Sequence, residues 1–393
     1  MLFVNLNSGI GAHQCALADE LYKILGENYI FIEFGRKKSQ FGSYSGAYNV
    51  DYYKKRSYIL KMYESKDNEK LAKEFIQKAD VIKTGGEPIE LTKDRILSGK
   101  LTFRSTERVL KGPLWKDIWR IFKINKFYLK YTNSNYRILC QSAYMANDLR
   151  FCGQEYREKC YKFAYFTQIP QIDIEHIIQN RTKDKIRIVW CARFIDWKHP
   201  ELPLKLARKL IESNRNNFII QMTGSDTTSL WEKIKTQISK WSLEDHVVLT
   251  GGIPNTEVLE SMRQSHIFIF TSDKGEGWGA VLNEAMGSGC ACVASNEIGA
   301  TPFLLKHKKN GLIFKSCSVD SLFENVAHLY DHRELCDDLG RKAYMTITNE
   351  WSAKTAAQRL VQLSESILTG KEIEFRDGPC AKAYPINANS LMF

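Results

Sequence analysis

No stretch of this chain approaches the ~18 consecutive apolar residues of a membrane-spanning helix. Its start, MLFVNLN, lacks the charged opening and the length of a signal peptide, so a cytoplasmic enzyme is expected. Long polar or Pro/Ser-rich tracts are also missing. Their absence excludes a disordered or fibrous class, and 44% hydrophobic with 26% charged residues fits a soluble globular protein. The ten cysteines include no CxxC pair and no Cys/His cluster at zinc spacing. Several sit in apolar runs such as IVWCARF and CACVAS, where a thiol serves as a small hydrophobe. No internal repeat stands out.

At 393 residues the chain exceeds the ~250–300 at which one core stops growing, so two domains are expected. A net charge of +11 points to an anionic partner: nucleic acid, a phosphorylated substrate or an anionic membrane. The excess is concentrated in 101–165, where thirteen Lys/Arg face five acids among many aromatics.

Short apolar runs alternate with helix-like segments from the first residue: FVNLN, YIFIEF, ADVIKTGG, LTFRS and YRILCQS, then IRIVWCARF, NFIIQMTGS, HVVLTGG, HIFIFTS, CACVAS and NGLIF. Such alternation implies parallel sheets covered by helices on both faces. Two doubly wound, Rossmann-like domains are therefore expected: 1–170 and 186–350, joined by a linker at 171–185. A helix and tail at 351–393 would pack back on the first. Strand-end loops of both domains would turn toward a shared central cleft.

The segment KGEGWGAVLNEAMGSG, 274–289, follows HIFIFTS at such a strand end. Gly277 and Gly279 let a phosphate approach the backbone, and the helix start offers free amides near Ala280 and Val281. Glu276 and Glu284 then lie on either side of the phosphate, and carboxylates accept from hydroxyls. A diphosphate between two hydroxyl-rich groups, as in a nucleotide-sugar, satisfies both. Upstream, VWCARFIDWKHP places Arg193 and Lys198 at another strand end, where two cations can neutralise a departing diphosphate.

EGWGAVLNE resembles the E-x7-E signature of retaining GT-B glycosyltransferases of family 4, the glycosyl transferases group 1 type, and the likeness continues through AMGSGCACVASNEIGATPFLLKHKKNGLIF. The resemblance implies a GT-B fold and retaining transfer from a nucleotide-sugar to a hydroxyl of a glycan or lipid-linked acceptor in cell-surface polysaccharide assembly. It implies that Arg193 and Lys198 hold the donor diphosphate, Glu276 the sugar hydroxyls and Glu284 the ribose. The catalytic set is thus Arg193, Lys198 and Glu276, with Gly277, Gly279, Ala280, Val281 and Glu284 binding donor. No DxD motif is present; no metal or other cofactor and no nucleic acid are expected.

In the first domain, NSGIGAHQ brings Gly9 and Gly11 toward the donor phosphates, and His13 follows at the helix start. A dinucleotide fingerprint would want glycine where Gln14 stands, although Glu33 ends the second strand as a ribose-binding acid would. An NAD-dependent oxidoreductase or nucleotide-sugar epimerase is the rival enzyme class. In FRSTER the family's usual histidine is replaced, leaving His13, Glu107 and Arg108 as acceptor-side candidates. The stretch PLWKDIWRIFKINKFYLKY reads as a basic amphipathic helix. The favoured reading has it bury its aromatics against the sheet. The alternative has it rest on anionic lipid, as a peripheral or even non-catalytic membrane-binding protein.

Overall fold

The computed structural model describes residues 1–35, 55–112, 114–151, 153, 156–224 and 229–392. The chain divides into two compact units, Met1–Gln168 with Glu350–Ile386, and Ile169–Asn349 with Asn387–Phe393.

In unit 1 the strands are β1 (Phe3–Asn7), β2 (Tyr29–Glu33), β3 (Ile59–Lys61), β4 (Val81–Gly85), β5 (Leu101–Thr106), β6 (Tyr136–Cys140) and β7 (Cys160–Lys162). They form one sheet in the order β3-β2-β1-β4-β5-β6-β7, parallel throughout. Because β2 and β3 lie on one side of β1 and the later strands on the other, the order reverses between β1 and β4. Ligands of open α/β sheets bind outside such a switch point. Burial on both faces explains the nearly unbroken apolar runs, and all of β1 is buried. The helix Ala12–Leu25 follows β1, with Leu17 and Leu21 buried but Ile24 43% exposed at the rim. The helix Ala353–Thr369 packs on it. Ser352 caps that helix by accepting from the Thr355 amide, and Gly370 ends it at φ 69°, where a side chain would be strained. The three-residue strands β3 and β7 have no counterpart in the sequence reading.

In unit 2 the strands are β8 (Ile186–Cys191), β9 (Phe218–Thr223), β10 (Val247–Gly251), β11 (Ile267–Phe270), β12 (Ala291–Ser295) and β13 (Leu312–Phe314), ordered β10-β9-β8-β11-β12-β13. Again all pairs are parallel. The switch lies between β8 and β11, the two strands whose exits carry the quoted motifs. Helices Glu201–Glu212, Ser229–Lys240, Asn255–Gln264 and Val281–Gly287 fill the segments between the apolar runs. Their inward residues, among them Leu204, Leu206, Leu210, Ile234 and Ile238, join the strands in one core with Trp190 and Phe194. The 171–185 stretch, read as a linker, instead carries the helix Ile174–Gln179 and belongs to unit 2. Asp173 caps this helix by accepting from the His176 amide, a signal that a polar, proline-flanked run obscures.

The helix Leu114–Leu129 corrects the favoured reading of its sequence. Trp115, Trp119 and Phe122 are 71%, 77% and 66% exposed, so these aromatics are not buried against the sheet. Of its large rings Tyr128 is the buried one, packing on Tyr136 and Tyr156, while Phe127 is half-buried beside it.

Candidate functional site

The exits of β8 and β11 are laced together by their own polar groups. The Trp190 indole donates to Thr271 Oγ1 at 2.8 Å, and that hydroxyl donates to the Lys198 carbonyl at 2.6 Å. The Asp273 amide donates to the Trp197 carbonyl. His199, at φ 51°, turns the loop in the left-handed region and is clasped by Glu201 at 3.0 Å and Asp273 at 3.2 Å. Those two hydrogen bonds, Asp273 first, raise the imidazole to about 10, so it is an imidazolium at neutral pH and pins one loop to the other.

Lys198 and Glu276, 78 residues apart in sequence, form a buried ion pair on this frame. Ser272 Oγ donates to the same Glu276 oxygen at 3.1 Å. The ammonium also sits over the rings of Trp197, 4.2 Å from its centroid, and Phe270. Burial pushes the Lys198 amine below its ordinary value, opposed by Glu276 and reinforced by the nearby Arg193 cation. Arg193 itself is exposed, stacks toward Trp197 at 5.8 Å, and has no carboxylate partner among the described residues. A buried ion pair seldom adds net stability over an apolar pair. One buried cation and one open cation at a switch point are instead a ready anion site.

Past β11, the fully buried Trp278 donates from its indole to Asn283 Oδ1 at 2.9 Å and anchors the turn. Gly279 follows at φ +95°, and a Cβ there would stand 2.6 Å from the Phe270 ring and 3.3 Å from Glu276 Cγ. The residue must therefore be glycine for both conformation and space. Among the described residues no backbone carbonyl accepts from the amides of Ala280 or Val281. The following helix, Val281–Gly287, has seven residues, so these amides matter more than any helix dipole.

Glu284 is raised to about 7 by burial, against a hydrogen bond from Asn255. Cys191, at the end of β8, senses this carboxylate and Lys198 with opposite signs, while burial chiefly pushes its thiol up to about 12. Arg193, Lys198, Glu276 and Glu284 thus converge on the β8 and β11 exits, with Gly277 in the connecting turn. Hydroxyls donating to Glu284 would favour its ionised form, so a ribose diol bound there would expel a proton below pH 7. Nucleoside diphosphate affinity should rise between pH 6 and 8, with proton release visible in calorimetry across buffers of different ionisation enthalpy. Glu284→Gln should flatten the profile and weaken binding about tenfold or more. In the free protein the sign is opposite. Folding retains a proton above the ordinary carboxylate value, so this group's contribution to stability falls as pH rises toward 7.

In unit 1, His13, Glu107 and Arg108 line one cavity of about 380 Å³ at the carboxyl ends of β1, β4 and β5. Tyr165 joins two of them, stacking on His13 at 5.3 Å and donating to Glu107 at 2.9 Å. Lys111 pairs with the other Glu107 oxygen at 2.7 Å. Arg108 lies over the Tyr144 ring and 3.6 Å from Asp148. Burial holds His13 below its ordinary value, partly offset by Glu107.

The Gly9–Gly11 loop offers a phosphate less than its glycines imply. The Ile10 amide donates to Glu33 at 2.6 Å and the Gly11 amide to Gln14 at 2.9 Å. Glu33, occupied by Ile10 and by the Tyr63 hydroxyl, is correspondingly not free for a ribose, which removes the support for a dinucleotide site. Lys83, inside the run ADVIKTGG, is a pocket residue that sequence reasoning passed over, since one lysine near a strand end carries no pattern. His199 and Asp273 were missed because they are 74 residues apart.

The glycosyl transferases group 1 family model matches residues 171–346. Over 208 residues the chain is 23% identical to an uncharacterised glycosyltransferase of Methanocaldococcus jannaschii, covering 53% of this chain and 52% of the relative. Over 122 residues it is 32% identical to the GDP-mannose-dependent alpha-(1-6)-phosphatidylinositol monomannoside mannosyltransferase of Mycobacterium tuberculosis, covering 30% of this chain and 31% of the relative. The matches thus span about half and about a third of these relatives' lengths. Among solved structures, Anabaena HepE in complex with UDP aligns with a TM-score of 0.67 at 14% identity, covering 93% of this chain and all of that one. Sucrose-phosphate synthase of Thermosynechococcus elongatus aligns with a TM-score of 0.63 at 14% identity, covering 94% and 100%. At such identity the likeness is one of fold. Residues 171–346 are therefore similar to the glycosyl transferases group 1 family, and the chain shares the fold of these solved structures, the GT-B type.

Proposed function

We propose that this protein is a retaining glycosyltransferase that moves a sugar from a nucleotide-sugar to a hydroxyl of a glycan or lipid-linked acceptor in cell-surface polysaccharide synthesis. The observation that carries the reading is the Lys198–Glu276 pair beside the open Arg193 cation and the Gly279 turn. Lys198, Arg193 and the Ala280 and Val281 amides face the diphosphate and stabilise the charge that develops as it leaves. Glu276, already accepting from Ser272, takes hydroxyls of the donor sugar, and Glu284 takes those of the ribose. Attack on the face from which the diphosphate departs, with that group drawing the acceptor proton, retains the anomeric configuration. The UDP of Anabaena HepE and the GDP-mannose of the mycobacterial relative are consistent with this donor class. Incubation with a panel of UDP-, GDP- and ADP-sugars and saccharide acceptors, with the product's anomeric configuration read by NMR, tests the proposal. An inverted product would sink the retaining mechanism, and no transfer from any donor would sink the activity.

The exposed helix Leu114–Leu129 supports a place at an anionic membrane surface. Trp115, Ile118, Trp119 and Phe122 stand open beside the exposed Arg120, Lys123, Lys126 and Lys130. Aromatics of this kind enter the headgroup layer while the basic residues meet anionic lipid. No described helix is long and apolar enough to cross a membrane. The protein should sediment with vesicles containing phosphatidylglycerol, less so at high salt, and Trp115→Ser/Trp119→Ser/Phe122→Ser should abolish this. Equal sedimentation of the triple variant would remove the membrane role.

A further inference from the structure

The cavity of unit 1 contains a charge with no hydrogen-bond or ion-pair partner among the described residues. Lys83 is 3% exposed, yet its ammonium takes part in no hydrogen bond or ion pair among the described residues. Its recorded companions are the Phe163 ring at 5.7 Å and the field of Glu87, which is itself paired with Arg104. Buried charges are ordinarily paired, because removing one from water without a partner costs several kcal/mol. Such an orphan calls for an explanation.

Strand register shows where it points. Asn5 of β1, Lys83 of β4 and Phe103 of β5 are partners in one row. Two residues on, Asn7 pairs with Gly85, and Ser105 follows Phe103 on the same face. Gly85 carries no side chain, which leaves room beside Lys83 toward the strand ends. Arg104, between Phe103 and Ser105 on β5, also borders the cavity, but its guanidinium is engaged by Glu87 and the Phe127 ring. Around the cavity, Ser105 Oγ, His13 Nδ1 and Arg108 Nε are buried without partners. Glu107, the carboxylate lining the cavity, is engaged by Lys111 and Tyr165. A buried ammonium, a hydroxyl and a guanidinium edge therefore line a space of a size typical for small-molecule sites.

We propose that this cavity binds an anionic group of the acceptor, a carboxylate or phosphate, with Lys83 as its counter-ion and Ser105 and Arg108 as further donors. The word acceptor rests on the transferase reading; the anion site does not. Burial lowers the Lys83 amine to about 8, against the field of Glu87, so it is charged at neutral pH and ready for an anion.

Calorimetry and thermal shift on the full chain with inorganic phosphate, glucuronate and, as neutral control, glucose test the site. One or both anions should bind and raise Tm, glucose should not, and the tighter anion identifies the group. Lys83→Met should remove one binding event, leaving any that belongs to the unit 2 cations, and should keep the ligand-free Tm equal or higher, since an apolar chain replaces an unpaired charge. Ser105→Ala should weaken binding about fivefold or more, from the loss of one hydrogen bond to an anion. Arg193→Ala, which removes the exposed cation of unit 2, should leave the Lys83-dependent binding intact. Failure of both anions to bind, binding left unchanged by Lys83→Met, or loss of the Lys83-dependent binding in Arg193→Ala overturns the proposal. Because none of these readouts requires sugar transfer, a chain that binds the anion yet transfers nothing refutes the transferase reading alone.

Discussion

Lys198→Ala is expected to reduce sugar transfer by roughly a hundredfold to a thousandfold, the range for losing one preorganised group at a developing charge. The substitution removes the buried cation from the proposed diphosphate site. It also strands Glu276, leaving Ser272 as its recorded side-chain donor. Breaking a buried pair from one side costs about 3–5 kcal/mol of stability, so part of the activity loss could reflect unfolding. The double variant Lys198→Ala/Glu276→Ala separates the two effects. With no charge left unpaired, denaturant titration should show stability partly restored, while the initial rate at saturating donor stays at the single-variant level or below. A single variant that is folded and turns over near the wild-type rate would show that the pair is structural.

Gly279→Ala should be nearly as damaging, for a geometric reason. At φ +95° a Cβ is strained by about 1–2 kcal/mol, and here it also meets the Phe270 ring at 2.6 Å. Phe270 is buried at the end of β11 and cannot withdraw, so the turn must move and carry Ala280, Val281 and Glu276 with it. A displacement of about 1 Å in a catalytic constellation can cost about a hundredfold in rate. Nucleoside diphosphate binding should weaken at least tenfold, and transfer should fall by about a hundredfold. Wild-type affinity in Gly279→Ala would mean that the turn does not touch the phosphates.

Much of this site could be read from the sequence because its parts are local. Glu276, Gly277, Gly279 and Glu284 lie within one strand-to-helix junction, and the alternation of apolar runs announces the parallel sheets that present it. Arg193 and Lys198 could be read for the same reason, five residues apart after β8. What bound Lys198 to Glu276 could not be read, since their meeting depends on β8 and β11 being neighbours, a consequence of strand order. The His199–Asp273 clasp is hidden in the same way.

Unit 1 was less legible because its chemistry comes from single residues on separate strands. Lys83 becomes conspicuous only when burial removes most of its solvent and no carboxylate among the described residues pairs with it. Glu33 looked like a ribose ligand until its partner proved to be the Ile10 amide. Periodicity likewise showed that Leu114–Leu129 is amphipathic, without showing which face the sheet would cover. The structure leaves Trp115 and Trp119 open, and a pattern shared by core helices and membrane-surface helices cannot reveal that.

The most direct measurement of the central claim is a calorimetric titration of the full chain with UDP, GDP and ADP, repeated on Arg193→Ala/Lys198→Ala. The account predicts that at least one nucleotide binds the native protein with a micromolar Kd, about −8 kcal/mol, and that the double variant, shown folded by circular dichroism, loses most of that affinity. Absence of binding by all three, or undiminished binding in the folded double variant, would contradict it.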